Sequence, residues 1–302
     1  MNETPKKRRL SASGKRILIY LTLFGLFLVW NVWHRHWSPN FIFETQHYHI
    51  LSSATEEQTK KISEATEVLF VAYTNFFSGL LANSTNQQKL QMKLFKDRDE
   101  FRRCHYFLGW AEAFYQKPYC NAFYSMDEIN PRHWMLHEAT HQLNAEIAGF
   151  HLVKWLEEGL ATYFSTSLVR RQRVMLGEID PNTYPVWWMD ELATSGDLAS
   201  DIKNGSVIPL DAIITGKGGP SMKKQFNLYY LHWWSLTHFL FHYDNGKYRA
   251  QALLLVKDGG DLKSFEQRIG PTERVQTEWY GYVHGLKHFF GNNPPENSGK
   301  PM

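Results

Sequence analysis

Cysteine and net charge are both scarce in this chain. Only Cys104 and Cys120 occur among its 302 residues. In an oxidising compartment the two could pair and close a short loop; in the cytosol they would be ordinary thiols. The formal charge of +3 is too small to draw a nucleic-acid partner. Six of the basic residues crowd into the first sixteen positions, so the remainder is close to neutral or slightly acidic. No internal repeat is visible, which sets aside stacked-repeat architectures. Charge is missing altogether from Ile17 to Trp33. Apolar and aromatic side chains are plentiful instead: aromatics make up 15% of the chain, including 11 Trp, so flat rings must fill much of any core. The length suffices for one large domain or two small ones.

The uncharged run decides the expected compartment. Lys6, Lys7, Arg8, Arg9, Lys15 and Arg16 precede it, and Trp30, Trp33 and Trp37 stand at its far end as an interfacial aromatic belt would. It is slightly shorter than the roughly 20 residues that usually span a bilayer. A cleaved signal peptide would need small residues after the run, and this one is followed by Trp33-His34-Arg35-His36-Trp37. A buried soluble helix fits poorly, because the run is apolar on every face. The sequence therefore predicts a basic cytoplasmic tail over 1–16 and a single-pass signal anchor over 17–37. A domain over 41–290 would lie outside the cytoplasmic membrane, followed by a disordered Pro-, Asn- and Gly-rich tail over 291–302.

Within the domain, Phe41 to Leu51 reads as a strand, Thr55 to Phe77 as a helix, Asn83 to Gln88 as a polar loop, and Leu90 to Phe95 as a strand with Leu90, Met92 and Leu94 on one face. Ala122 to Tyr124 is a short strand candidate. Asn130 suits a helix N-cap, Pro131 a first helical position and Gly149 a stop. Trp155 to Val174 reads as a second helix ending in Arg170, Arg171 and Arg173. Pro181 to Ile214 is loop-rich with helical fragments. Gln225 to Tyr243, Arg249 to Val256 and Glu273 to Phe289 are further helices. The expected fold class is α+β: a small strand-containing N-terminal layer, then a helical body.

The chemistry centres on His137-Glu138-Ala139-Thr140-His141. Residues four apart share a helix face one turn apart, so the two imidazoles can grip one Zn²⁺. Glu138, slightly off that line, can reach a water at the metal, take its proton and later deliver it to a leaving amine. A catalytic zinc needs a third protein ligand and one open position. A histidine-based third ligand further along the same helix would require Gly at 144 and His at 147, where the chain has Asn144 and Ile147. The remaining option is a glutamate on the next helix, in Trp155-Leu156-Glu157-Glu158-Gly159-Leu160-Ala161, where two consecutive carboxylates on a largely apolar helix call for a cation.

The H-E-x-x-H helix followed by W-L-x-E-G-L-A resembles the gluzincin branch of zincin metallopeptidases, most closely the peptidase MA-like group of bacterial proteins. The resemblance spans residues 41 to about 285. It implies a zincin-like fold, with a small mixed N-terminal sheet and a mainly helical C-terminal part, and it makes Glu158 the third ligand, with Glu157 at a variable position. It extends to Tyr229-Tyr230-Leu231-His232-Trp233-Trp234-Ser235-Leu236-Thr237-His238-Phe239-Leu240, similar to a family helix whose tyrosine lies near the metal. Tyr230 matches that tyrosine and would donate to an oxyanion. Tyr229 is the fallback, His232 a second candidate for the same oxyanion, and His238 and His242 read as ordinary helical histidines. No amine-recognition motif of the aminopeptidase type precedes the H-E-x-x-H helix, and the His141-to-Glu158 spacing is slightly shorter than in aminopeptidases, so endo- and exopeptidase action both stay open.

Two functions follow as expectations. The first is a membrane-anchored zinc peptidase acting on peptide or protein substrates outside the cytoplasm, with His137, His141 and Glu158 on the metal, Glu138 as base and Tyr230 on the oxyanion. The second is a zincin-like binding or scaffold protein without turnover.

Overall fold

The structure, a computed structural model, describes residues 12–81, 88–108 and 111–292. The basic cluster of residues 6–9, the polar loop over 83–87 and the tail beyond 292 lie outside the described residues.

The architecture is α+β. Helix α1 (Ala12–Arg35) leads into β1 (Phe41–Glu44) and β2 (Tyr48–Ser52), then α2 (Glu56–Phe76), β3 (Leu90–Phe95), α3 (Arg98–Cys104), β4 (Ala113–Gln116) and β5 (Tyr119–Phe123). The five strands form one mixed sheet in the order β1-β2-β3-β5-β4, parallel between β2, β3 and β5 and antiparallel at both ends. A helical body follows: α4 (His133–Gln142), α5 (Lys154–Ser165), the β6–β7 hairpin (Ser167–Arg170, Arg173–Ile179), α6 (Leu198–Asn204), α7 (Leu210–Thr215), α8 (Phe226–His242), α9 (Arg249–Lys257), α10 (Leu262–Arg268) and α11 (Thr272–Asn292).

Local chemistry explains the elements. Thr55 and Gln58 form a reciprocal capping box that starts α2, and α2 buries Ile62, Ala65, Leu69 and Tyr73. Strand β3 buries Leu90, Met92 and Leu94 on one face, as the alternation predicts. One continuous core joins sheet and helices, including Ile50, Leu69 and Met92 from the N-terminal layer and Leu136, Leu160 and Leu236 from the body.

Several boundaries differ from expectation. The strand predicted over 41–51 is a hairpin that turns at Thr45, whose N–H donates to Tyr48 O at 3.0 Å. The helix carrying the histidine motif starts at His133 rather than beside Asn130. Asn130 instead accepts from the Arg132 N–H at 3.1 Å and donates to Asp180 at 2.9 Å, tying the helix entrance to the body. The predicted helix over 155–174 stops at Ser165, because Ser165, Thr166 and Ser167 turn their hydroxyls back onto the carbonyls of Thr162 and Tyr163. Arg171 and Gln172 then adopt φ of 48° and 58° in a two-residue hairpin turn, so the arginines read as a helix end belong to a β-turn. Trp37 is no part of a membrane belt: its indole donates to Ser53 at 3.0 Å and packs on Phe95. Cys104 and Cys120 are both free, and Cys120 is buried beneath α4, its thiol donating to Glu138 O at 3.2 Å.

Helix α1 is long and apolar enough over Lys15–Arg35 to cross a membrane, and its apolar side chains are exposed: Ile17, Leu21, Phe24, Phe27 and Val29 all lie above half exposure.

The contact that most directly positions the chemistry is between α5 and α8. A Cβ on Gly159 would lie 2.2 Å from Thr237 Oγ1 and 3.0 Å from the Trp233 carbonyl, so only glycine lets the helices approach this closely. Glu158 is the neighbouring residue. Gly159→Ala is therefore expected to lower unfolding stability by about 1–3 kcal/mol through overpacking, measured by denaturant titration of the two proteins side by side. Equal stability would mean that the helices do not need this approach.

Candidate metal centre

Helix α4 presents His137 and His141 on successive turns, and α5 packs against it with Glu158. The Nε2 atoms of the histidines are 3.2 Å apart, and Glu158 Oε2 lies 3.3 Å from the first and 3.6 Å from the second. Among the described residues, these three form the one group of at least three His, Cys, Asp or Glu side chains able to hold a metal ion. The separations suit a tetrahedral ion. Three atoms so spaced lie on a circle of radius about 1.95 Å, so an ion about 2.05 Å from each sits about 0.6 Å off their plane, against about 0.7 Å for an ideal tetrahedron. Glu158 Oε2 is buried and makes no hydrogen bond of good geometry, the state expected of an acceptor meant for an ion. Donors and geometry both fit a divalent metal.

After α4 the backbone widens into a π-turn over Leu143–Ala148 and stops at Gly149 in the left-handed region, φ 63°, as the sequence predicts for that glycine. Asn144, whose identity ruled out a histidine-based third ligand, accepts a hydrogen bond from the Tyr73 hydroxyl at 2.7 Å.

The ionisable groups around the triad shift one another strongly. Burial pushes the His141 imidazolium down, but Glu157, Glu158 and Glu138 outweigh it and hold the ring up at about 10. Burial raises Glu158, yet His137 and His141 draw it well below the carboxylate range. Glu157 Oε1 stands 3.7 Å from His141 Nδ1, on the far side of the ring from the triad, and supports that histidine by charge. Glu138 is buried and its carboxyl is raised, chiefly by desolvation and secondarily by Glu158, against the imidazoles and the Tyr115 N–H.

Of the triad, His137 borders a cavity of about 230 Å³ also lined by Glu138, Tyr230 and an aromatic wall of Trp134, Tyr184, Trp187, Trp188 and Phe226. A larger groove of about 910 Å³ between α2 and β7 contains none of these residues. Burial, and then the charge of nearby Glu158, raises the Tyr230 hydroxyl far above the usual range. Tyr229 is directed elsewhere: its hydroxyl donates to Pro220 O at 2.9 Å. His232 also leaves the oxyanion candidates, because both its nitrogens are used. The Ile208 N–H donates to Nε2 at 3.1 Å and Nδ1 bonds Leu228 O at 2.7 Å. His238 and His242 pair with the hydroxyls of Tyr282 and Tyr163 and serve the core.

The supply of Trp and Tyr in the sequence suggests an aromatic-lined cleft as readily as a packed core, but does not name the residues of the wall. Their signal was the Tyr184-Pro185-Val186-Trp187-Trp188 run, in a stretch that reads as loop. Glu128 was missed too: burial raises its carboxyl to about 7, while the Trp134 indole donates to it at 3.0 Å. No protein-family model matches the chain, and no curated protein matches it.

Three buried histidines and the half-buried His242 set an acid limit on the fold. Burial lowers His133 and His238 to about 3 and His232 and His242 to about 4, all below the unfolded value. Unfolding then takes up protons at pH below about 6.5, so stability falls with falling pH by up to about 1.4 kcal/mol per pH unit for each group. Glu128, raised in the fold, acts in the opposite direction. A thermal midpoint that drops steadily from pH 6.5 to pH 4 is expected; a flat profile over that range would show that these rings are not held neutral.

Proposed function

We propose that this chain is a zinc-dependent peptidase of the gluzincin type, tethered by α1 and acting on peptide or protein substrates outside the cytoplasmic membrane. The observation that carries the reading is the near-tetrahedral triangle of His137, His141 and Glu158, with the Glu138 carboxyl and a lined cavity beside His137. Two imidazoles and one carboxylate suit zinc, and leaving the fourth position to solvent or substrate is the pattern of a catalytic rather than a structural site.

A bound zinc supplies Lewis acidity, polarising a carbonyl and lowering the pKa of water toward about 7. The remaining work falls to side chains. Glu138, buried and with its carboxyl raised by desolvation, takes the proton of the attacking water and hands it to the departing amine. Tyr230, protonated at every physiological pH, donates to the oxyanion as the carbonyl carbon becomes tetrahedral. Trp134, Tyr184, Trp187, Trp188 and Phe226 exclude water and favour a bulky apolar side chain beside the scissile bond. Strand β4, at the sheet edge, contributes Ala113 to the same cavity and offers backbone to an extended peptide.

The full-length protein in detergent should cleave a peptide library in a chelator-sensitive manner. Glu138→Gln should keep zinc yet lose about 10²–10⁴-fold in rate, and Tyr230→Phe should lose about 10²–10³-fold in kcat with KM little changed. His137→Ala should lose both zinc and cleavage. A zinc-loaded protein that cleaves nothing would favour the scaffold reading, and an active Glu138→Gln protein would remove the base.

The same proposal places residues 1–16 in the cytoplasm, the uncharged part of α1 from Ile17 onward in the bilayer and the domain outside, from the basic residues ahead of an exposed apolar helix. An alkaline phosphatase fusion after residue 37 should be active and a green fluorescent protein fusion dark; the reverse would turn the orientation around.

A further inference from the structure

Helices of this chain carry four histidine pairs spaced four residues apart: 133 and 137, 137 and 141, 238 and 242, 284 and 288. The spacing alone is no site. His133 is buried with Nδ1 against Asn130 O at 2.8 Å, and His238 and His242 spend ring nitrogens on tyrosine hydroxyls. Two pairs bring Nε2 to Nε2: His137 and His141 at 3.2 Å, and His284 and His288 at 3.1 Å.

The second of these lies on α11, away from the cavity, with His284 half-buried and His288 exposed. His284 is held in place from behind. Its Nδ1 is 3.1 Å from the hydroxyl of the buried Thr194, and its ring stacks on Tyr280 at 6.1 Å between centroids. With Nδ1–H donating to Thr194, the Nε2 lone pair points toward His288, which is how a hydrogen bond on the far nitrogen prepares a metal-ligating histidine. The two rings stand at 86° to one another, and the solvent side leaves room for waters. Lys287 turns its ammonium onto Thr194 O at 3.2 Å, so the adjacent positive charge is engaged on the protein side.

We propose that His284 and His288 form a second divalent-metal site on α11. Its ligands are two imidazoles and water, which suits copper(II), nickel or zinc and not the oxygen-seeking magnesium or calcium. The ion would clamp two turns of α11 and, through Thr194, the segment that leads out of the cavity wall at Trp187 and Trp188.

The test is a nickel titration of the full-length, metal-stripped protein in detergent at neutral pH, read by calorimetry. The wild-type chain should take two equivalents and His284→Ala/His288→Ala one. His137→Ala should keep an equivalent that disappears on adding the α11 substitutions. In copper(II)-loaded His137→Ala protein, electron paramagnetic resonance should show coupling to two nitrogens that is lost in the combined variant. The double α11 variant and the wild-type chain binding nickel with the same stoichiometry and affinity would overturn the proposal. That comparison stands even where His137→Ala fails to fold. A wild-type chain taking one equivalent, removed by His137→Ala, would equally overturn it and leave the α11 imidazoles as a hydrogen-bonded pair.

Discussion

Two imidazole nitrogens and a carboxylate oxygen held within 3.6 Å of one another, largely out of water, are poor neighbours unless a positive charge sits between them. The acids around His141 hold its imidazolium up at about 10 against the effect of burial. Everything else near the centre follows from keeping those atoms converged. The α4 turn brings the rings together, the left-handed Gly149 ends that helical segment, and Gly159 lets α5 close on α8 so that Glu158 is fixed rather than free.

The same packing gives the site its one-sided opening. The sheet covers α4 from beneath, with Cys120 of β5 donating to the Glu138 carbonyl, while α8 and the segment around Tyr184 to Trp188 wall the other side. Glu138 and Tyr230 thus reach the cavity from different elements, one on the motif helix and one on α8. The aromatic wall packs within itself, Tyr184 stacked on Trp134 and tilted against Tyr230, so its rings brace one another.

How much of this the sequence carried depended on the range of the interaction. The histidine pair was legible because helical period alone sets it. Two adjacent carboxylates beside Trp155, Leu156 and Leu160 called for a cation, but only the resemblance to the W-L-x-E-G-L-A pattern singled out Glu158 over Glu157. The hairpin after α5 was not, since Arg170, Arg171 and Arg173 suit a helix end as well as a turn, and hydroxyls at Ser165 to Ser167 decided between them. His232 looked available until the Ile208 N–H, 24 residues away, was found on its ring. Helices α3 and α10 start at local caps, Asp97 and Asp261, and β4 forms a short hairpin with β5, signals that the sequence reading passed over; the cavity wall brings together distant segments, which no local pattern records.

The most direct measurement is anomalous diffraction at the zinc edge from crystals grown with one equivalent of zinc. The predicted result is a single strong peak about 2.0–2.2 Å from His137 Nε2, His141 Nε2 and a Glu158 oxygen, with density for a fourth, non-protein ligand facing Glu138. An ion bound elsewhere, or a Glu158 carboxylate turned away from the two rings while zinc is present, would contradict the metal centre and the hydrolytic reading built on it.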